Sequence, residues 1–196
     1  MIWIVLSIAV WGVIHSIMAS TKIKEFLRSA LGERVMVAYR FAYNVFSLLT
    51  FAPIYFLVLI LPDHKLYSVS APWMYVMFAG QGLSAILLLF SFLQTGPLSF
   101  VGLSQFWEGE KPSALVTGGM YRLVRHPLYL FSLLFLWLSP SMSVNNFVFY
   151  LAITVYIFIG AYFEERKLLR EFGASYAEYK SSTPMMIPGL VFKRNK

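Results

Sequence analysis

Residues 127–163 read PLYLFSLLFLWLSPSMSVNNFVFYLAITVYIFIGAYF and contain no Lys, Arg, Asp or Glu. A bilayer core about 30 Å thick is crossed by roughly 20 helical residues, so this stretch is too long for a single crossing. The residues SPS at 139–141 and NN at 145–146 mark a turn inside it. The stretch therefore predicts a hairpin of two membrane helices. The first ends near Leu138, and the second covers about 144–163.

Three other stretches also lack these four charged residue types: 1–21, 41–62 and 66–107. The first two are each long enough for one crossing. The third is longer, but Ser, Pro and Gly residues near its two ends leave one helix at about 73–95. The chain is therefore predicted to be an all-α integral membrane bundle with about five transmembrane helices.

The composition supports a membrane protein of one domain. Hydrophobic residues make up 59% of the chain and charged residues 13%, whereas soluble proteins have roughly 45–50% and about 25%. No cysteine is present, which excludes disulfides and thiolate metal sites. No linker or low-complexity tract divides residues 1–196, so we expect a single domain. The net charge of +7 does not point to nucleic acid, because that interpretation needs a basic face on a soluble fold.

The Lys and Arg residues fall on one side of this arrangement. With the amino terminus outside, the cytosolic segments are 22–40, 108–125 and 164–196, and they hold 15 of the 16 basic residues. Only Lys65 falls in an outer loop. Cytosolic loops carry the excess of basic residues, so we expect the amino terminus outside and the carboxyl terminus in the cytosol. The first helix lacks a preceding basic region and a cleavage pattern, so we expect it to be retained.

Two polar clusters stand at the predicted cytosolic ends of the last two helices. Arg125 and His126 precede Pro127, which can occupy the first turn of a helix because an N–H has no partner there. Amide donors and cations at a helix entrance favour an anionic group. Glu164 and Glu165 directly follow the last crossing. If the hairpin turn is short, its helices are antiparallel neighbours, so Arg125 and His126 should lie near Glu164.

Each of these residues has an ordinary interpretation when it is taken singly. Charged residues at membrane helix ends usually extend to the lipid headgroups, and a single histidine such as His15 is more often packed than a ligand. Only His15, His64 and His126 are available for a metal or heme, and the predicted topology places His64 outside, so no metal is expected. The combination of the two clusters exceeds what anchoring requires and favours a binding site.

The same residues carry a resemblance to a known family. Residues 119–129 match G-x-Y-x-x-x-R-H-P-x-Y, and residues 164–179 match E-E-x-x-L-x-x-x-F-G-x-x-Y-x-x-Y, with Pro188 beyond. The sequence thereby resembles the membrane methyltransferases related to isoprenylcysteine carboxyl methyltransferase. Residues 137–142 (WLSPSM) and 15–19 (HSIMA) further resemble the branch that contains the methanethiol S-methyltransferases.

The resemblance implies S-adenosylmethionine as the methyl donor, bound by the part of the chain at about 105–190. The sequence departs from the family pattern at two positions. Ser113 stands where the family has a His, and Gly160 stands where the prenylcysteine enzymes have an Arg on the substrate side. Carried over position by position, the donor contacts fall on Gln105, Leu115, Val116, Tyr121, His126, Pro127, Tyr129, Glu164 and Glu165.

Methyl transfer from a sulfonium depends mainly on alignment of the acceptor and exclusion of water. We expect a small lipophilic or lipid-like acceptor that enters from the membrane lipids. A thiol is favoured over a prenylcysteine-like carboxylate. Arg125 and His126 are the predicted catalytic residues: they would bind the donor's carboxylate and orient the acceptor. Glu164 would bind the donor's amino or ribose groups. Residues 166–188, predicted as a cytosolic amphipathic helix and a loop, could close the site.

Two alternatives remain open. A nicotinamide-dependent reductase of the sterol-reductase type has a related carboxyl-terminal architecture and, like this chain, lacks the Rossmann glycine fingerprint. A non-catalytic membrane component in transport or assembly would keep the same residues for structural reasons. Binding of the methyl donor, of a nicotinamide or of neither distinguishes the three functions.

Overall fold

The structure is a computed structural model that describes residues 1–109 and 114–189. It consists of helices with two short strands that pair in one sheet. The elements are α1 (Ile2–Ala19), α2 (Thr21–Leu31), α3 (Glu33–Ile60), β1 (Lys65–Ser68), α4 (Trp73–Gln94), α5 (Pro97–Val101), α6 (Gln105–Glu108), a 3-10 turn (Gly119–Arg122), α7 (Pro127–Trp137), β2 (Ser141–Ser143) and α8 (Val144–Ser182).

Four helices within the described residues are long and apolar enough to cross a membrane, namely α1, α3, α4 and α8. This confirms the class of a helical integral membrane protein. The remaining predicted crossing corresponds to α7, which is apolar but has only 11 residues. At 1.5 Å per residue it is about 16 Å long, roughly half of a bilayer core. The count of five crossings therefore stays a prediction.

The hairpin at the end of the chain begins and ends near the predicted residues. Pro127 is the first residue of α7, and Leu138 follows its last residue. The helix α8 begins at Val144. The predicted turn at 145–146 is wrong, because both asparagines belong to the first turn of α8. Asn145 instead donates from Nδ2 to carbonyl oxygens at the end of α3, including that of Leu61 at 3.1 Å.

Two helix boundaries differ from those expected from the charge pattern. The segment 22–40, treated as a connection, is largely helical, because α2 fills its first part and α3 begins before the apolar stretch. Gly32, with φ of 80°, separates these two helices. At the other end, α8 continues past Phe163 to Ser182, with a break in helical geometry at Gly173 (φ 54°, ψ −124°). Charged residues end an apolar stretch without ending a helix, so composition alone misplaced both boundaries.

The chain divides into two compact units, and the prediction of one domain remains a prediction. The first unit comprises Met1–Leu66, Gly96–Ser113 and Ser143–Tyr156. Its core is formed by Ile4, Ile8, Ile54, Val58 and Phe149.

His15 lies in a polar network of the first unit. Its Nδ1 is 2.9 Å from Oγ of Ser47, and its Nε2 is 2.5 Å from the hydroxyl of Tyr43. Its ring also stacks on Trp11, with 4.7 Å between the centroids. Because both ring nitrogens have partners, His15 is a packed and hydrogen-bonded residue, which agrees with its ordinary interpretation.

The second unit comprises Tyr67–Thr95, Ala114–Met142 and Ile157–Lys196. Here α4 packs on α7. Gly80 permits their close approach, since a Cβ at this position would come within 2.9 Å of Leu138. Gln81 donates from Nε2 to the carbonyl of Phe135 at 2.8 Å. All of the predicted site residues except Gln105 belong to this unit.

Candidate active site

The entrance of α7 is fixed to the tail of the chain by backbone hydrogen bonds. The N–H of Arg125 donates to the carbonyl of Pro184 at 2.8 Å, and that of His126 donates to the carbonyl of Met185 at 3.1 Å. Pro127 has no N–H, so α7 begins there without leaving a donor unpaired. The tail after α8 therefore runs beside the residues that precede α7.

Arg125 and Glu165 form a buried ion pair at this place. Nε and Nη2 of Arg125 lie 2.6 and 2.5 Å from Oε1 of Glu165, and the two side chains are only 7% and 8% exposed. Nη1 of Arg125 also donates to the carbonyls of Lys180, at 3.1 Å, and Thr183. Four of the five guanidinium N–H donors are thus engaged. Arg125 connects α7, α8 and the tail.

The second oxygen of Glu165 is bound as well. Nζ of Lys180 lies 2.6 Å from Oε2. Glu165 lies beyond the apolar part of α8, which ends at Phe163. Burial alone would raise the pKa of this carboxyl. The neighbouring His126, Lys180 and Arg125 outweigh burial and hold the pKa at about 2. Glu165 is therefore ionised at neutral pH.

His126 lies between the two glutamates. Its Nδ1 is 3.6 Å from Oε2 of Glu164, and its Nε2 is 3.5 Å from Oε1 of Glu165. The ring stacks on that of Tyr129, with 5.3 Å between the centroids and 9° between the planes. Nε2 is buried and has no hydrogen bond in the structure. A buried polar atom without a hydrogen bond is uncommon, and the group that faces this one is the buried carboxylate of Glu165.

Glu164 is the open member of the cluster. The hydroxyl of Tyr129 donates to its Oε2 at 2.8 Å, while its side chain is 43% exposed. This carboxylate is therefore held in place and still accessible. It can accept hydrogen bonds from a bound molecule or pair with a positive charge.

The 3-10 turn brings Tyr121 to the same unit. The hydroxyl of Tyr179 donates to the carbonyl of Tyr121 at 2.6 Å, which fixes the turn to α8. The N–H of Met120 donates to Oε1 of Gln94 at 3.0 Å, which fixes the turn to α4. Burial, and then the negative charge of Glu164, raise the pKa of Tyr121 to about 12, so its hydroxyl stays protonated at neutral pH.

The structure brings together Arg125, His126, Tyr129, Glu164 and Glu165, which the sequence predicted as neighbours. Pro127 is buried beside them. Leu115 and Val116 lie in an irregular, half-buried segment before the turn. Gln105 belongs to the first unit, where it begins α6 with a buried side chain. Ser113 lies outside the described residues.

Three residues that contribute to the cluster were not singled out from the sequence. The sequence analysis assigned no role to Lys180 or to Gln94. Tyr176 occurred only as part of the family pattern. Its side chain is almost fully buried, and its hydroxyl has no hydrogen-bond partner. Lys180 follows Glu165 by 15 positions, a separation at which the sequence gives no sign that two side chains pair. Helical geometry is broken at Gly173, which lies between them.

Comparison of the sequence with known proteins shows the family of the chain. The family model described as NnrU protein matches residues 3–190. The chain belongs to the NnrU family. A methanethiol S-methyltransferase of Pseudomonas deceptionensis is 30% identical over 200 residues, which is 95% of this chain and 72% of that protein.

Two further relatives of the NnrU chain match shorter parts. Methanethiol S-methyltransferase 2 of Bradyrhizobium diazoefficiens is 45% identical over 75 residues, covering 38% of this chain and 29% of that protein. Protein-S-isoprenylcysteine O-methyltransferase of Schizosaccharomyces pombe is 32% identical over 123 residues, with 51% of each chain covered. No solved structure matches significantly. The resemblance to membrane methyltransferases is thereby confirmed.

Proposed function

We propose that this chain is an S-adenosylmethionine-dependent membrane methyltransferase that acts on a small lipophilic acceptor. The observation that carries the proposal is the meeting of His126, Tyr129 and Glu164 at the entrance of α7. There, the accessible carboxylate of Glu164 lies 3.6 Å from Nδ1 of the buried His126 ring. The names of the relatives support the same class of reaction.

The groups in this cluster fit the methyl donor. Bound S-adenosylmethionine would supply a positively charged sulfonium whose methyl group is transferred to the acceptor. Glu164 can accept from the amino or ribose groups, because Tyr129 holds only one of its oxygens. His126 would bind the carboxylate end and orient the acceptor. The remainder of the donor would be contacted by Tyr121, Leu115, Val116 and Pro127.

We propose a different role for Arg125 and Glu165 from the one expected from the sequence. They were predicted to contact the donor, and this prediction remains untested. Because four donors of Arg125 and both oxygens of Glu165 are already engaged, we assign them as positioning residues. They hold His126 and the tail in place, which is the preorganisation that methyl transfer needs.

An apolar groove in the same unit suits a lipophilic acceptor. It has a volume of about 460 Å³. Its lining side chains, all apolar, come from α4 and α7: Ala85, Leu88, Leu89, Phe92, Leu128 and Phe135. Gly160 stands where the prenylcysteine enzymes have an Arg on the substrate side, so a small thiol is favoured over a prenylcysteine-like carboxylate.

The proposed topology keeps the amino terminus outside and the carboxyl terminus in the cytosol. Four long apolar helices support membrane insertion, and α7 is assigned as the additional short crossing. An odd number of crossings places 15 of the 16 Lys and Arg residues on one side. The cluster of His126, Tyr129 and Glu164 would then face the cytosol.

The test is a transfer assay with detergent-purified protein. The protein is incubated with methyl-labelled S-adenosylmethionine and a panel of small thiols, prenylcysteines and phospholipid amines. We expect label in the thiol fraction, and loss of transfer in Glu164→Gln but not in Glu171→Gln, which removes an exposed carboxylate of the same helix. Label in the amine fraction would contradict the proposed acceptor. Binding of a nicotinamide instead of the donor would favour a reductase, and binding of neither would favour a non-catalytic component.

A further inference from the structure

The face of α8 opposite the glutamates carries exposed aromatic and basic side chains. Tyr162 and Phe163, at the end of the apolar part, are 57% and 60% exposed. Arg166, Lys167 and Arg170 follow within the next two turns and are also exposed. We name these five side chains the aromatic-basic band: Tyr162, Phe163, Arg166, Lys167 and Arg170.

Helix geometry shows that the band is a single face. Successive residues are about 100° apart around a helix of 3.6 residues per turn. Measured from Tyr162, the five members of the band fall within an arc of about 140°. Glu164 and Glu165 fall at about 200° and 300°, outside that arc. The turns that direct the glutamates toward α7 therefore direct three cations to the outside.

The cations of the band have no acidic partner among the residues that the structure describes. The guanidinium carbon of Arg166 lies 5.8 Å from the ring centroid of Tyr162. Nε of Arg170 donates to the carbonyl of Arg166 at 3.3 Å. These contacts hold two of the side chains along the helix and leave their positive charge uncompensated. A stripe of exposed cations directly after exposed aromatic residues is what a helix presents at the headgroup layer of a bilayer.

We propose that the aromatic-basic band binds the phosphate headgroups of anionic phospholipids. The apolar part of α8 would sit among the acyl chains, Tyr162 and Phe163 would sit at the boundary, and the three cations would reach the phosphates. The lipid contact fixes the depth of the helix turn that carries Glu164 and Glu165. This surface is independent of the methyl donor, so it can be tested whether or not methyl transfer is found.

The experiment measures lipid preference of the full chain in nanodiscs. The discs contain phosphatidylcholine with or without phosphatidylglycerol, and spin-labelled forms of both lipids report association with the protein. We expect a preference for phosphatidylglycerol that weakens about fivefold in Arg170→Gln and is abolished in the triple variant Arg166→Gln, Lys167→Gln and Arg170→Gln. The matched control is Lys65→Gln, an exposed cation in β1, and it should keep the preference.

Two results would overturn the proposal. One is an unchanged preference for phosphatidylglycerol in the triple variant, or in Arg170→Gln if the triple variant fails to fold. The other is displacement of the labelled lipid by inorganic phosphate more strongly than by chloride at equal ionic strength, because this would indicate a site for free phosphate. Retention of the preference in Lys65→Gln together with its loss in the band variants supports the proposal.

Discussion

Nη2 of Arg125 lies 2.5 Å from Oε1 of Glu165, although 40 positions separate the two residues in the sequence. The same guanidinium binds the carbonyls of Lys180 and Thr183. One buried cation therefore joins the entrance of α7, the turn of α8 after its apolar part, and the tail. The buried His126 and the accessible Glu164 lie beside this pair.

Removing one partner of this pair should destabilise the protein strongly. Arg125→Ala or Glu165→Ala leaves an uncompensated buried charge, and we expect the free energy of unfolding to fall by about 3–5 kcal/mol. The measurement is unfolding in detergent. Glu171→Ala, at an exposed position of the same helix, should change it by less than about 0.5 kcal/mol. An effect of that small size in Arg125→Ala would show that the pair does not hold the tail.

Acid should weaken the pair in a defined range. The pKa of Glu165 is held at about 2, below its ordinary value of 4.5, so the folded state binds this proton less tightly than the unfolded state. The stabilisation is complete above pH 4.5 and is lost as the pH falls toward 2. The difference in unfolding free energy between the natural protein and Glu165→Gln should therefore shrink between neutral pH and about pH 3. A constant difference would contradict the assignment.

The 3-10 turn should require glycine at position 119 but not at position 118. Gly119 has a φ of 58°, and a Cβ there would collide with the side-chain amide of Gln94. We expect Gly119→Ala to destabilise the protein by roughly 2 kcal/mol and to lower donor affinity, because the turn carries Tyr121. Gly118→Ala is the control, since nothing lies within 4 Å of a Cβ at Gly118. Equal effects of the two variants on unfolding would contradict this account.

The hydroxyl of Tyr129 should matter more for binding than for folding. Tyr129→Phe keeps the ring that stacks on His126 and removes the 2.8 Å hydrogen bond to Glu164. Without this bond Glu164 is no longer held in one orientation, so donor affinity should fall. Tyr162→Phe, at an exposed position, should leave affinity unchanged. Unaltered affinity in Tyr129→Phe would remove Glu164 from the proposed donor site.

Much of the helical arrangement could be predicted, because apolar length and proline position are local signals. Pro127 marked the start of α7, and the charge-free stretches located the four long helices. The ends of α3 and α8 could not be placed in this way, since helices continue through charged residues once they leave the bilayer. The short length of α7 was visible in the sequence, but whether 11 residues form a crossing depends on the surrounding lipid and protein.

The neighbours in the site were predictable only as far as chain connectivity determines them. A hairpin places His126 near Glu164 because the two helices share a turn. The engagement of Arg125 by the tail was not predictable, since it depends on the break in helical geometry at Gly173 and on carbonyl groups that every residue carries. The binding of both carboxylate oxygens of Glu165, by Arg125 and by Lys180, was not predictable for the same reason.

The most direct test of the central claim is the affinity of the purified chain for labelled S-adenosylmethionine, measured by equilibrium dialysis. If His126 and Glu164 together hold the donor, the natural protein binds it, and the double variant His126→Ala and Glu164→Ala loses at least roughly tenfold in affinity while remaining folded. Affinity that survives both substitutions would contradict the claim.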